Sequence, residues 1–373
     1  MIELSHDHLI IRFPELEEIL CDRVRRWLDA KIASATAEEK TRLPKSRGTL
    51  HADFCRRSVN VSTKISFQRT LRIPDDGKDY PLPPGLGRFP LRHVDDFSGV
   101  PATWKKTGGV MLPMHRLEAM WLNFDSSYPM AVRIATGGRC AISGLPWASG
   151  LTDAPQNYVV LPEQPWLDGF RVSDDVVRQF VAVPLGKGLT VEHQLTGEES
   201  WGGVQIQAFP MLTEEHWRTA IAEDLEHQWK ELFAAPFSLE EEGDVCYATA
   251  AGLGAGGRIR QEISADPHGL KVWDTQVSSR CYVRLCLAED WKQLTGLTPP
   301  HSPPTAKTYT DAGLPWFDYD YDKPAVSGTT VLAKIKSVGA LVGQKTGLSL
   351  SDNESVTPSS VHIVSPKKTV REF

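Results

Sequence analysis

A tryptophan and an aspartate lie two residues apart in a short segment that could bind a sugar. The segment reads Trp166-Leu-Asp-Gly169 and follows Gln164-Pro165. An indole ring can stack on a sugar while a nearby carboxylate bonds to a hydroxyl group. An Asp–Gly turn with the tryptophan packed beneath it explains the same residues without a ligand. We favour the turn and keep sugar binding by Trp166 and Asp168 as the alternative.

A run of glycines matches the fingerprint of dinucleotide-binding folds. Gly252-Leu-Gly-Ala-Gly-Gly257 follows a predicted strand, and Asp274 stands roughly 20 residues farther on, where a ribose-binding acid would lie. The helix that should follow has only Ile259 and Ile263 as apolar positions before Pro267. We therefore predict a glycine-rich turn that lets strands pass closely, and no bound cofactor.

Three aspartates alternate with aromatic residues near the C-terminus. These residues are Phe317, Asp318, Tyr319, Asp320, Tyr321 and Asp322. Acids at such positions occur in calcium loops, but Lys323 replaces the required glycine and Thr329 the closing glutamate. In an extended segment the acids share one face and the aromatic rings the other. This pattern predicts an arm anchored by aromatic side chains and no metal site.

Metal-ligating and nucleophilic side chains are dispersed along the chain. The six cysteines include no Cys-x-x-Cys pair, and only His6 and His8 of the eleven histidines are close in sequence, in an expected flexible terminus. His193 falls on the apolar side of a predicted strand, with Glu192 facing the other way. We therefore predict reduced thiols, a buried His193, no metal and no assigned catalytic residue.

Composition and charge exclude several partner classes. The chain has 373 residues and a net charge of −6, so no global basic field is present to bind nucleic acid. The stretch 40–72 carries nine Lys or Arg and the single acid Asp53, which is typical of a strand with one solvated face. No apolar run reaches the roughly 20 residues of a membrane helix, and the N-terminus lacks a signal-peptide pattern. We expect a cytoplasmic protein.

Two amphipathic helices frame the predicted strands. Pro14 begins a helix that runs to about Lys40, with apolar residues at helical spacing. Thr213 is a good N-cap for a second helix, which Pro236 stops. A short third helix covers Glu289–Leu294.

Alternating apolar and polar residues predict many strands without helices between them. A long strand follows Val59, and a Pro/Gly-rich loop begins at Tyr80. Further strands are placed at Leu117–Asn123, Met130–Ala135, Arg139–Ile142, Tyr158–Leu161, Val176–Val183, Leu189–Thr196, Val204–Ala208, Val245–Thr249 and Arg280–Leu287.

These elements indicate a mainly-β α+β fold. We predict an antiparallel β-sandwich or barrel with an N-terminal helix, one mid-chain helix and an extended C-terminal arm. The predicted units are a helical extension over residues 1–58, a β-rich core over 59–296 and a proline-rich arm over 297–373.

Several motifs resemble a family of uncharacterised proteins from actinobacteria and fungi, some of them labelled integral membrane proteins. The motifs include Gln164-Pro-Trp-Leu-Asp-Gly169, Arg258-Ile-Arg-Gln-Glu262 and Gly313-Leu-Pro-Trp-Phe-Asp318. The likeness covers about Ile65 to Lys336 and implies no particular activity. Hydropathy argues against the membrane label for this chain.

The candidate ligand-binding residues come from these motifs. They are Trp166, Asp168, Arg258, Arg260, Glu262, Trp316 and Asp318. The leading hypothesis is a non-enzymatic binding or assembly protein that recognises a protein, a small molecule or a sugar through aromatic and acidic residues. The alternative is a carbohydrate-directed enzyme or lectin-like module, and the third is a nicotinamide or flavin oxidoreductase. Homo-oligomerisation is left open.

Overall fold

The fold mixes helix and strand in nearly equal shares. The computed structural model describes residues 1–44, 46–148, 150–232, 252–319, 324–326 and 329–364. About 31% is strand and about 30% is helix, and the described strands close no barrel. The fold is therefore α+β, and the mainly-β expectation was wrong because short capped helices occupy segments that we had assigned to strands or loops. The predicted strand Val245–Thr249 lies outside the described residues.

Strands and helices are interspersed along the whole chain. The strands are β1 (Ile2–Ser5), β2 (His8–Arg12), β3 (Ser62–Thr70), β4 (Asp79–Tyr80), β5 (Gly85–Arg88), β6 (Arg92–His93), β7 (Val110–Met114), β8 (Ala119–Ser126), β9 (Met130–Thr136), β10 (Arg139–Cys140), β11 (Val159–Leu161), β12 (Trp166–Leu167), β13 (Gly169–Arg171), β14 (Val176–Val183), β15 (Val204–Pro210), β16 (Gly252–Arg260), β17 (Ser279–Leu287), β18 (Trp316–Tyr319) and β19 (Val361–Val364). The helices are α1 (Pro14–Ser34), α2 (Ala37–Arg42), α3 (Arg47–Ser58), α4 (Ala102–Thr107), α5 (Val191–Thr196), α6 (Thr213–His216), α7 (Ala222–Glu231), α8 (Ala288–Thr295), α9 (Ala306–Asp311) and α10 (Val338–Thr346), and a π-helical turn, Trp217–Ile221, joins α6 to α7.

Two large sheets share one hydrophobic core. The larger sheet has the order β1-β2-β3-β8-β14-β16-β4, and the smaller has the order β10-β9-β15-β17-β7-β6. Most pairs are antiparallel, as predicted, but β16–β4 and β17–β7 are parallel. Ile65 and Leu122 of the larger sheet belong to the same buried cluster as Ile134 and Leu285 of the smaller one. The arrangement is sandwich-like.

The N-terminal residues are built into the larger sheet. β1 and β2 form a hairpin, and β2 pairs with β3 with Leu9 opposite Ile65. His6 and His8 therefore lie at an ordered hairpin turn rather than in a flexible terminus. The expected extension thus supplies two strands, which are stabilised by pairing with β3 and by burial of Leu9 and Ile11 in the core.

Helix α1 is shorter than predicted, and a further helix lies in the basic stretch. α1 ends at Ser34 because Thr36 and Glu39 form a reciprocal capping box that begins α2. Ser46 then caps α3, whose residues we had assigned to a solvated strand. The strand prediction was wrong there because an N-cap fixes the local helix.

The helices near the N-terminus pack on the mid-chain helix of the same chain. Leu16, Leu20, Val24 and Leu28 form the buried stripe of α1. Ion pairs join basic side chains of α1 and α3 to acidic side chains of α6 and α7. The pairs are Arg23–Glu214, Lys31–Glu226 and Arg57–Glu231.

The segment Leu189–Thr196, predicted as a strand, contains the helix α5. The side chain of Thr190 accepts a hydrogen bond from the backbone N–H of His193 at 3.0 Å, and Gly197 ends the helix in the left-handed conformation. These local capping signals outweigh the apolar alternation. The strand prediction was wrong because a short alternating run also fits one turn of helix.

The helix also changes the surroundings of two polar residues. His193 is half-buried on α5 rather than in a strand core. Glu192 is only 3% exposed. Its carboxylate accepts hydrogen bonds from the backbone N–H groups of Ser200, Trp201 and Gly202 at 2.8–2.9 Å. Glu192 therefore fixes the loop that follows α5.

The glycine run lies inside β16 rather than in a turn. A dinucleotide-binding loop needs its glycines to open a helix, whereas these continue a strand paired with β14. Gly257 passes directly over the backbone carbonyl of Pro74, and Gly254 lies against Val338 of α10. Close packing explains the glycines, so the predicted close approach is confirmed and the predicted turn was wrong.

The C-terminal region is not a uniformly extended arm. It contains α9 and α10 as well as the parallel pair β18–β19. Ser337 caps α10 by accepting a hydrogen bond from the N–H of Ala340, and Val338 is buried. The expectation of an extended arm was wrong over these helices because the hydroxyl groups of Thr305 and Ser337 cap them locally, and α9 directly follows prolines that suggested a loop.

Candidate functional site

Strand β18 lies against the body of the chain beside several of the predicted residues. Phe317 and Leu82 exchange two backbone hydrogen bonds, with N···O distances of 2.6 and 2.9 Å. Arg260 at the end of β16 donates to the carboxylate of Asp318 at 2.7 Å. The aromatic segment is therefore docked on its own chain, as predicted for residues up to Tyr319. Asp320, Tyr321 and Asp322 lie outside the described residues.

Trp316 is a core residue of this docked segment. It is fully buried, and its ring centroid lies 6.1 Å from that of Tyr80 and 6.4 Å from that of Tyr309. Its indole nitrogen donates to the hydroxyl of Thr310 at 3.2 Å. Trp316 therefore anchors β18 and is closed to a ligand.

Trp166 and Asp168 bond to each other. The indole nitrogen of Trp166 donates to the carboxylate of Asp168 at 2.6 Å, and Asp168 is only 4% exposed. The ring of Tyr319 meets the Trp166 ring edge-on, with centroids 4.6 Å apart. Both polar groups of the proposed sugar-binding pair are thus already in use, and the half-buried ring of Trp166 contacts the docked arm.

Burial makes the carboxyl group of Asp168 a weaker acid than usual. Desolvation raises the pKa of its carboxyl to about 7, against the smaller opposing effect of the hydrogen bond from Trp166. The backbone N–H of Asp168 donates to the side-chain oxygen of Gln261 at 2.9 Å. Because Asp168 is only 4% exposed, a substrate has almost no direct access to this carboxyl group.

Gln261 is a positioning residue that the sequence analysis missed. It is fully buried, and its amide also donates to the backbone carbonyl of Trp166 at 3.3 Å. The sequence does contain a pattern that predicts this burial. Gln261 lies midway between Ile259 and Ile263 at a spacing of two residues, so in an extended segment it falls on the same inner face.

The other candidate ligand-binding residues, Arg258 and Glu262, have different neighbours from Trp166 and Asp168. Arg258 forms an ion pair with Asp79 of β4. Partial burial, and then the nearby charge of Asp175, raise the pKa of the Glu262 carboxyl. Glu262 is half-exposed between buried Gln261 and Ile263, so its environment differs from that of Asp168. The structure thus joins Trp166 to Asp168 and Arg260 to Asp318, while Arg258, Glu262 and Trp316 stand apart.

Strand β19 presents apolar side chains to solvent. Val361, Ile363 and Val364 are 43%, 61% and 46% exposed. β19 runs parallel to β18 with Trp316 opposite Val361, and among the described strands it pairs only with β18. This strand was not predicted, because its residues were placed in the proline-rich arm over 297–373, although three β-branched residues within four are typical of a strand.

Possible metal ligands stay dispersed in space as well as in sequence. Across the described ranges, no three His, Cys, Asp or Glu side chains lie close enough together to bind one ion. No helix in these ranges is long and apolar enough to span a bilayer.

Comparison of the chain with models of protein families, with curated proteins and with solved structures finds no match. The resemblance to the actinobacterial and fungal family therefore stays a prediction. The geometry of the chain itself is the basis on which a function can be proposed.

Proposed function

We propose that this chain is a non-enzymatic assembly protein that pairs with a second copy of itself through β19. The exposed edge of β19 carries this proposal. An unpaired edge strand offers backbone donors and acceptors to another strand, and proteins ordinarily protect such edges with charge, proline or a covering segment. Among the described residues no segment pairs with the outer edge of β19, which exposes three apolar side chains.

The backbone geometry of β19 supports pairing on its outer side. Trp316 donates its N–H to the carbonyl of Ser360 at 2.9 Å, which sets the register of the parallel ladder. In that register the backbone groups of His362 point toward β18, and those of Val361 and Ile363 point away. A second β19, related by a two-fold axis, can meet these groups in an antiparallel pair.

The docking of β18 makes this edge rigid. Buried Trp316, the Arg260–Asp318 ion pair and the contact of Tyr319 with Trp166 fix β18 on the body. A strand that is already ordered loses less conformational entropy on binding than a free tail does. The aromatic and acidic motifs then serve assembly by presenting β19 rather than by touching the partner.

Sedimentation over a range of protein concentrations tests the proposal. We expect a reversible monomer–dimer equilibrium that Ile363→Pro abolishes, because proline removes an outward N–H group and the exposed side chain. Leu348→Asp is the matched control, since Leu348 is 69% exposed elsewhere on the surface. A chain that stays monomeric at every concentration, or a Leu348→Asp variant that dissociates as readily, would refute pairing through β19.

A carbohydrate-directed function is the second candidate. The half-buried ring of Trp166 and the raised pKa values of Asp168 and Glu262 favour it. The Trp166–Asp168 hydrogen bond speaks against it, because a sugar would have to displace that bond. Titration with soluble oligosaccharides, followed by tryptophan fluorescence, distinguishes the candidates: saturable binding that Trp166→Phe weakens would support the sugar site.

A further inference from the structure

An open-sided cavity of about 510 Å³ lies between α1 and the π-helical turn. Among the described residues, two arginines and two tryptophans line it: Arg23, Arg26, Trp27 and Trp217. Small-molecule sites commonly have volumes of about 300–1,000 Å³ and combine aromatic walls with a few polar groups. None of these four residues belongs to the candidate site described above.

The two tryptophans are held in place by different elements. Trp217 begins the π-helical turn and is only 9% exposed. Such turns are rare inside helices and often occur at functional sites. Trp27 of α1 meets the ring of Trp229 edge-on, with centroids 6.5 Å apart. Both indole rings are therefore held rigidly in the wall of the cavity.

The two arginines differ in their charge balance. Arg23 is paired with Glu214, and its guanidinium lies over the Trp217 ring, 4.4 Å from the centroid. Arg26 is exposed, and its Nε donates to the backbone carbonyl of Asp22 at 3.3 Å. Within the part of the chain that the structure describes, Arg26 forms no ion pair. Counting the described residues alone, the guanidinium of Arg26 is a positive charge at the cavity rim without an ion-pair partner.

A third cation near the cavity is already neutralised. The ammonium of Lys31 lies 5.3 Å from the Trp27 centroid and is paired with Glu226. Arg23 is paired with Glu214 and Lys31 with Glu226, so among the described cations that line the cavity or lie over its indoles, Arg26 is the one without an ion pair. A ligand with one negative group matches this balance.

We propose that this cavity binds a planar aromatic molecule that carries a single acidic group. The ring packs against Trp27 and against the guanidinium of Arg23 that lies over Trp217, and the anionic group accepts hydrogen bonds from the guanidinium of Arg26. The cavity does not involve β19, so this binding and the proposed self-association can fail independently.

Calorimetric titration with 2-naphthoate tests the proposal, with 2-naphthamide as the neutral probe of the same shape. We expect saturable binding of 2-naphthoate that is at least roughly tenfold tighter than binding of the amide, since hydrogen bonds between charged groups commonly contribute that much. Arg26→Gln should remove this preference without changing the thermal midpoint, because Arg26 is exposed.

Arg25→Gln is the matched control, since Arg25 is exposed on the same helix but does not line the cavity. Retained preference for the anion in Arg25→Gln, together with its loss in Arg26→Gln, supports the site. Three results overturn it: no saturable binding of 2-naphthoate, equal affinity for acid and amide, or equal weakening in the two variants. Cyclohexanecarboxylate extends the test to the indole walls, because binding as tight as that of 2-naphthoate would exclude a role for ring packing.

Discussion

Among the described residues, three carboxyl side chains lie almost entirely out of water, and each accepts hydrogen bonds from a different set of donors. Asp168 accepts from an indole, Glu192 from three backbone N–H groups, and Glu118 from the guanidinium of Arg69 at 2.6 Å. Burying an ionised carboxylate is costly unless its oxygens are bonded. These residues therefore offer direct tests of what stabilises the chain.

Asp168 should make stability depend on pH. Its folded pKa of about 7 lies above the ordinary value of 3.8, so the folded state binds more protons between these values. The stabilising contribution of the protonated form is complete below about pH 4 and is lost as the pH rises to about 7, at most about 4 kcal/mol.

Asp168→Asn should therefore be more stable than the parent at about pH 8, with the difference shrinking toward pH 4, because the amide oxygen still accepts from Trp166 and carries no charge. Urea unfolding across this range measures the difference. Asp95→Asn, at an exposed carboxyl, is the control. Parallel curves for the parent and Asp168→Asn would contradict the assignment.

Arg69 of β3 is charged although Ile65 and Phe67, at the same alternate positions, are fully buried, and its ion pair with Glu118 explains this. Glu118 is 2% exposed and also accepts from the N–H of His115 at 2.7 Å. Arg69→Leu should lower the free energy of unfolding by about 3–5 kcal/mol, because it leaves a buried carboxylate without its cation. The double variant Arg69→Leu/Glu118→Leu should recover much of this loss. Additive losses in urea unfolding would show that the two charges are not coupled.

At the scale of elements, β16 depends on the absence of side chains at its glycines. A Cβ atom on Gly257 would overlap the backbone carbonyl of Pro74 and the side chain of Ile73. Because a backbone carbonyl cannot swing aside as a long side chain can, β16 would have to shift from its neighbours.

Gly257→Ala should therefore destabilise the protein by about 1–3 kcal/mol, the usual range for overpacking. Gly48→Ala is the matched control, since Gly48 lies in α3 with its nearest atom 4.0 Å from a Cβ position. It should be neutral or stabilising by up to about 1 kcal/mol. Thermal unfolding of both variants measures the contrast, and equal effects would argue against the close approach.

At the scale of the whole molecule, the C-terminal region completes the fold. Trp316 buries its ring in a second hydrophobic cluster with Tyr80, Ile259 and Tyr309, which joins this region to β4 and β16. A large aromatic residue buries roughly 150–250 Å², enough to offset the ordering of a short extended segment.

Chymotrypsin should therefore cleave the native chain only slowly after Phe317 and Tyr319. Trp316→Ala should speed this cleavage strongly, since losing a buried tryptophan costs about 3–5 kcal/mol of packing. Trp201→Ala, at a residue that is 51% exposed, is the control and should leave the rate unchanged. Mass spectrometry of timed digests identifies the sites. Rapid cleavage after Tyr319 in the unaltered chain would mean that the segment is not docked.

The sequence by itself determined the elements whose signals are local. The alternation over Val176–Val183 predicted β14 with its observed bounds, and Pro14 predicted the start of α1. Aromatic content near Trp316 predicted a docked segment rather than a free tail. Each of these features depends on neighbours within a few residues, so periodicity and composition report them.

Only the tertiary structure decided which side chains meet. Asp168 and Gln261, and Arg260 and Asp318, are 93 and 58 residues apart in sequence, and no spacing rule links them. The hairpin β1–β2 and the exposed strand β19 are likewise defined by their pairing with β3 and β18. Whether a polar residue binds a ligand or bonds to its own chain depends on these distant contacts, because the fold determines whether its polar atoms stay open to solvent.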